Sequence, residues 1–92
     1  MIKTIRGSAT RQFVETGKSK FSGLDTAMAQ RRVAVLAAAK SPQDFGSLKS
    51  VGLHRLTGDR KAFWAVTING PWRLVFRFED GHAWDVEIVD YH

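Results

Sequence analysis

The sequence contains no cysteine among its 92 residues. That excludes a disulfide framework, a thiolate metal site and a cysteine nucleophile. No uninterrupted apolar run approaches about 20 residues, so no segment predicts a membrane-spanning helix. Residues 1–10 lack an apolar signal segment, and the expected location is cytoplasmic. The three histidines, His54, His82 and His92, show no His-x-His or helical His-x-x-x-His spacing. With no cysteine beside them they give zinc little to hold, so neither metal nor cofactor is expected. No serine stands in a nucleophile-elbow context, which argues against a serine-type triad.

What is present fits one soluble domain spanning residues 1–92. Hydrophobic residues make up 43% and charged residues 25%, the balance of a globular chain and not of a disordered one. At this length a core closes without staples, but with little to spare. The net charge is +5, and it is unevenly placed. Residues 1–61 hold 12 Lys/Arg against 4 Asp/Glu, whereas residues 62–92 hold 2 against 5. A basic N-terminal surface suits an anionic partner such as nucleic acid. It is also what a plain solvated face looks like.

Periodicity divides the chain into a helical and a strand half. Residues 2–6 predict a short strand. Ser8 is a plausible N-cap for a short helix bearing Phe13 and Val14, with Gly17 as its stop. The clearest helix covers residues 24–40, with Asp25 near its cap and an apolar stripe of Leu24, Met28, Val35, Leu36 and Ala39. Ser41-Pro42-Gln43-Asp44 reads as a second helix start, with Phe45 anchoring a single turn. From Val51 the period falls to 2. Strands are expected over 53–56, 62–68, 72–79 and 83–89, with Asn69-Gly70-Pro71 and Asp80-Gly81 marking turns.

Even-numbered positions of the last three strands carry the bulk: Trp64, Val66, Ile68; Trp72, Leu74, Phe76, Phe78; Trp84, Val86, Ile88. For even residues to meet even residues, each hairpin loop must hold an odd number of residues, so 69–71 and 79–81 are predicted. Gly81 then takes a left-handed position. Arg73 should sit opposite Thr67 and Glu87. Helices should cover the even face and leave the odd face, with Arg73 and Arg77, open. The expected class is α+β, with the N-terminal strand and two helices packed against a curved antiparallel sheet.

Chemistry-bearing residues concentrate late in the chain. Asp90-Tyr91-His92 is a polar, titratable triplet directly after an apolar strand. A solvated terminus is the alternative reading. His54 sits beside Arg55 and before the Gly58-Asp59-Arg60 turn, and a lone histidine on a short strand is more often structural. Together His, Tyr, Arg and Asp suit RNA phosphodiester cleavage. The substrate's 2′-OH is the nucleophile, and the protein supplies a base, a cation and an acid.

Leu53-His54-Arg55-Leu56-Thr57-Gly58-Asp59-Arg60, Phe63-Trp64, Trp72-Arg73-Leu74-Val75-Phe76-Arg77-Phe78 and Asp90-Tyr91-His92 together resemble HigB-type toxins of bacterial toxin–antitoxin systems, within the RelE/ParE superfamily. The resemblance implies a microbial-ribonuclease-like, RelE-like fold and a ribosome-dependent mRNA endonuclease. It also implies a cognate helix-turn-helix antitoxin of the HigA type. By carry-over, His54 and His92 are proton-transfer residues, Asp90 and Tyr91 assist, and Arg73 stabilises the scissile phosphate. Some relatives carry a lysine where this chain has Thr57, which leaves one fewer cation. Lys18, Lys20, Arg31 and Arg32 are the expected contacts to ribosomal RNA, and Arg55, Arg60, Lys61 and Arg77 are further RNA-binding candidates. Two other functions remain open: a same-fold toxin acting by binding, like the gyrase-poisoning ParE proteins, and a non-enzymatic RNA-binding module.

Overall fold

The computed structural model describes residues 1–47 and 49–91. Two helices, α1 (Ser8–Thr16) and α2 (Thr26–Ala38), precede four strands: β1 (His54–Arg55), β2 (Phe63–Asn69), β3 (Trp72–Glu79) and β4 (His82–Asp90). The strands form an antiparallel meander in the order β1-β2-β3-β4. The fold is α+β, as expected. Among the described residues, no helix is long and apolar enough to cross a membrane.

The N-terminal segment joins the sheet at its edge. It runs parallel to β4 and makes isolated bridges, Ile2 with Ala83 and Ile5 with Val86, in place of a regular strand. Lys3 and Arg6 donate to the carbonyls of Ala83 and Val86, at 2.7 and 2.9 Å. The Ile88 amide donates to the hydroxyl of Thr10 on α1 at 3.1 Å. The outer edge of β4 is therefore occupied from Ala83 to Ile88, which removes an exposed row of strand donors.

Helix α1 starts one residue earlier than its sequence suggested. Gly7 is the N-cap and Ser8 is already helical, and no side-chain cap bond forms. Gly17 ends the helix in the left-handed conformation, with its N–H on the Phe13 carbonyl. On α2, Asp25 is the N-cap and accepts from the Met28 amide at 3.0 Å. Ala29 and Leu36 are buried and Met28 packs against the core. Val35 instead points outward, 37% exposed. Its expected place in the stripe fails because it lies one residue, about 100°, round the helix from Leu36, off the arc that Ala29 and Leu36 bury. Beyond α2, the Asp44 carboxylate accepts from the amides of Lys40 and Ser41 at 2.7 and 3.4 Å. These bonds favour the ionised form and hold its pKa below the ordinary carboxylate value. Phe45 then stacks on Phe76, centroids 5.9 Å apart.

The hairpins decide which side chains share a face. In β2–β3, Ala65 faces Val75, Val66 faces Leu74 and Thr67 faces Arg73, so even residues meet even ones. The turn is tighter than the predicted 69–71 loop. Asn69 pairs with Trp72, and the surplus residue is absorbed as a bulge at Ile68. The second hairpin departs further. Glu79 pairs with His82, which leaves only Asp80-Gly81 as the turn, at φ 53° and 77°. Two left-handed residues in succession match the twist of paired strands, so this tight turn replaces the predicted 79–81 loop.

The odd residue reappears inside β4. Arg77 faces Trp84 while Val75 faces Glu87, so Phe76 opposes both Asp85 and Val86. Asp85 carries the bulge at φ 53°. Ala83 faces the core before it, and Val86 and Ile88 after it. Trp84, expected among the core-facing even residues, is rotated to the open face, where the Arg77 guanidinium lies 6.0 Å from its ring centroid. Across β4, Arg73 meets Val89 and not Glu87.

The main core lies between the even face and the helices, with Phe13, Leu36, Val66, Leu74, Phe76 and Val86 among its members. The opposite face carries a smaller cluster of Leu56, Ala65 and Val75, flanked by Phe63 and Val89. Beyond that cluster it carries polar and charged residues together with Trp84.

Candidate functional site

The register assembles the candidate residues on the open face as a grid. One row reads His54, Ala65, Val75, Glu87. The next, toward the β2–β3 turn, reads Thr67, Arg73, Val89. Tyr91 follows two residues beyond Val89. Arg73 therefore lies between His54 and Tyr91 along a diagonal of the sheet. By ladder spacing, its Cα is about 12 Å from that of His54 and about 8 Å from that of Tyr91 on a flat sheet.

His54 is exposed on the two-residue strand β1. Its Nδ1 lies 2.8 Å from the Gly52 carbonyl oxygen. A carbonyl only accepts, so Nδ1 carries the proton and the neutral ring keeps its lone pair on Nε2. Gly52 was not singled out in the sequence, yet it sets this geometry. It has φ +61°, and a Cβ there would stand 2.8 Å from Thr67 Oγ1. The adjacent Val51 carbonyl accepts from the Thr67 amide at 2.7 Å. Only glycine lets the chain pass this close to β2 and still present its carbonyl to His54.

Arg73 is half-buried at the centre of the face. Its Nη1 donates to the carbonyls of Gly70 and Trp72, at 2.7 and 2.9 Å. The same turn holds the end of β4, because the Tyr91 amide donates to the Pro71 carbonyl at 2.7 Å. The backbone of Asp90 and Tyr91 is thus held against the β2–β3 turn, and does not fray. The Tyr91 side chain is 45% exposed. Asp90 pairs with Trp72, so strand alternation sets it on the helix-covered side, at the rim, away from Tyr91. His92 lies outside the described residues.

The other cations separate into engaged and exposed groups. Arg77 is gripped by Glu79 and Asp85, at 2.8 and 3.0 Å. The hydrogen bond to Asp85 is the main cause of its raised pKa. Arg32 Nε donates to the Thr67 carbonyl at 2.9 Å, beside the Ile68 bulge. Arg55 reaches the Lys61 carbonyl at 3.0 Å and lies 5.3 Å from the Trp64 ring centroid, on the helix-side face. Lys18, Lys20, Arg31, Arg60 and Lys61 are exposed. Arg60 and Lys61 lie in the connection between β1 and β2, on the His54 side of the sheet. Lys18 and Lys20 lie beyond α1. Thr57 is exposed just after β1 and brings no charge. Among the described residues, no group of three His, Asp or Glu side chains is placed to hold a metal ion.

A base-competent imidazole, a central guanidinium and a phenol on one open face can handle a phosphodiester. Two comparisons bear on this. Residues 3–92 match the family described as the RelE-like toxin of type II toxin–antitoxin system HigB. The chain is also similar to the Endoribonuclease HigB of Proteus vulgaris, 31% identical over 94 aligned positions that cover all of both chains.

Proposed function

The chain belongs to the HigB family of RelE-like toxins from type II toxin–antitoxin systems, and from that premise we propose that it is an endoribonuclease that cuts mRNA on the ribosome and so arrests translation. A toxin of such a system has an antitoxin partner, and we take this one to be a HigA-like helix-turn-helix protein. Ribosomes place the activity in the cytoplasm.

The placement of Arg73 between His54 and Tyr91 carries the reading. Cleavage by the 2′-OH needs groups on opposite sides of the phosphorus. His54 Nε2 takes the 2′-OH proton as the 2′-oxygen bonds to phosphorus. The Arg73 guanidinium stabilises the charge that develops on the non-bridging oxygens. The P–O5′ bond breaks and the 5′-oxygen leaves with a proton supplied from the end of β4, where Tyr91 stands and His92 follows. The products are a 2′,3′-cyclic phosphate and a 5′-OH. Asp90, on the other side of the strand, assists by holding this end of the chain. No metal enters the scheme. Arg60 and Lys61 in the β1–β2 connection, with Lys18, Lys20 and Arg31, attract RNA phosphates. Arg32, Arg55 and Arg77 contribute less, because carbonyls or carboxylates already occupy them.

Mapping RNA 5′ ends after brief induction tests this. Cuts within translated frames, abolished by Arg73→Ala in a protein of unchanged melting temperature, are expected. Intact transcripts would overturn it. Intact transcripts with DNA damage would point to a gyrase poison of the same fold.

A further inference from the structure

The chain has three tryptophans. Trp64 and Trp72 pack against the main core. Trp84 belongs to neither apolar cluster. The bulge at Asp85 is what keeps it out, because a regular strand that paired Asp85 in turn would continue the even phase of Val86 and Ile88 and turn Trp84 toward the helices. The bulge is deliberately held. Asp85 is a non-glycine residue at φ 53°, its amide accepts support from Thr4 by donating to Oγ1 at 2.7 Å, and its carboxylate binds Arg77. The indole itself is fixed, with Nε1 donating to the Glu79 carbonyl at 3.3 Å and Arg77 beside the ring. Bulges of this kind re-aim a side chain next to a working site.

We propose that Trp84 is a base-stacking platform for the single-stranded RNA, gripping a nucleotide near the scissile phosphate and setting the register of the cut. The inference rests on the ribonuclease reading above. Trp84 occupies the same face as Arg73, one strand across and two register steps along, about 14 Å away by ladder spacing. That is within the reach of a strand whose scissile phosphate lies at Arg73. An indole anchored through Nε1 and braced by Arg77 stacks on any base without hydrogen-bond readout. Arg77, neutralised by its two carboxylates, braces the ring and does not compete for phosphate.

The test uses ribosomes programmed with mRNA carrying an abasic nucleotide at each position around the cut, one at a time. Trp84→Leu should raise KM between about fivefold and about a hundredfold, the range for losing one stacked base. Its kcat should change little, because stacking grips substrate and transition state alike. Trp84→Phe should lose much less. At one position the abasic substrate should weaken the wild type but not Trp84→Leu, since the contact is already gone. An unchanged KM for Trp84→Leu, or abasic effects that simply add to the mutation at every position, overturns the inference while leaving the nuclease intact. So does a Trp84→Leu variant that only weakens the complex with its antitoxin. A wild type that cuts no RNA overturns the ribonuclease reading itself.

Discussion

Gly52→Ala tests whether the approach of residues 51–52 to β2 sets the candidate site. Two separate costs follow from the geometry. Alanine at φ +61° carries a left-handed penalty of about 1–2 kcal/mol. Its Cβ would also meet Thr67 Oγ1 at 2.8 Å. Threonine is stiff at χ1, so moving the hydroxyl off its rotamer costs about 1 kcal/mol. The reduced freedom of the unfolded chain returns about 0.4–1 kcal/mol. The net loss is roughly 2 kcal/mol, a fall in Tm on the order of 10 °C for a domain of this size. The clash can be isolated. Thr67→Ala removes the hydroxyl, so the double variant should be more stable than the sum of the single losses predicts, by about 1 kcal/mol. Urea unfolding of the four proteins measures that coupling. Strict additivity would refute the clash, and a Gly52→Ala protein as stable as wild type would refute the whole argument. Cleavage should fall as well in Gly52→Ala, because the carbonyl that orients His54 moves with the backbone.

Arg73→Ala should lower the cleavage rate by about 100- to 1,000-fold and His54→Ala by a similar order, both read by single-turnover assays on programmed ribosomes. A variant that keeps wild-type rates would remove that residue from the mechanism. Asp85→Val and Asp85→Gly delete the same carboxylate, but only valine is strained at φ 53°. The valine variant should therefore be the less stable by about 1–2 kcal/mol in urea. Asp44 has a lowered pKa in the folded state, so its contribution is full above the ordinary carboxylate pKa and is lost as pH falls through the lowered value. The Tm gap between wild type and Asp44→Asn should be constant near neutrality and close below about pH 4; a gap that persists in acid would contradict it.

The element order, the α+β class and the buried even face of β2 and β3 were legible in the sequence, because period-2 alternation and turn residues are local signals. Asp25, Gly17 and the Ser41–Asp44 start were legible for the same reason, as each acts on backbone groups within a few residues. The family was legible because several motifs coincide in residues 51–92. The second hairpin was misread at one residue. A tight Asp80-Gly81 turn with a later bulge satisfies the same alternation count as a three-residue loop, so parity alone does not separate them.

What decides between the two is contact from far along the chain. Thr4 holds the Asp85 amide from 81 residues away, and Arg77 binds the Asp85 carboxylate from the neighbouring strand. The absence of cysteine, the uneven charge and the residue types for phosphodiester chemistry were determined by the sequence itself. Which arginines are engaged, which face receives Trp84, and the order of His54, Arg73 and Tyr91 across the sheet were decided only by the tertiary structure. Register, unlike alternation, depends on edge partners and bulges, and these are set by groups that only folding brings together.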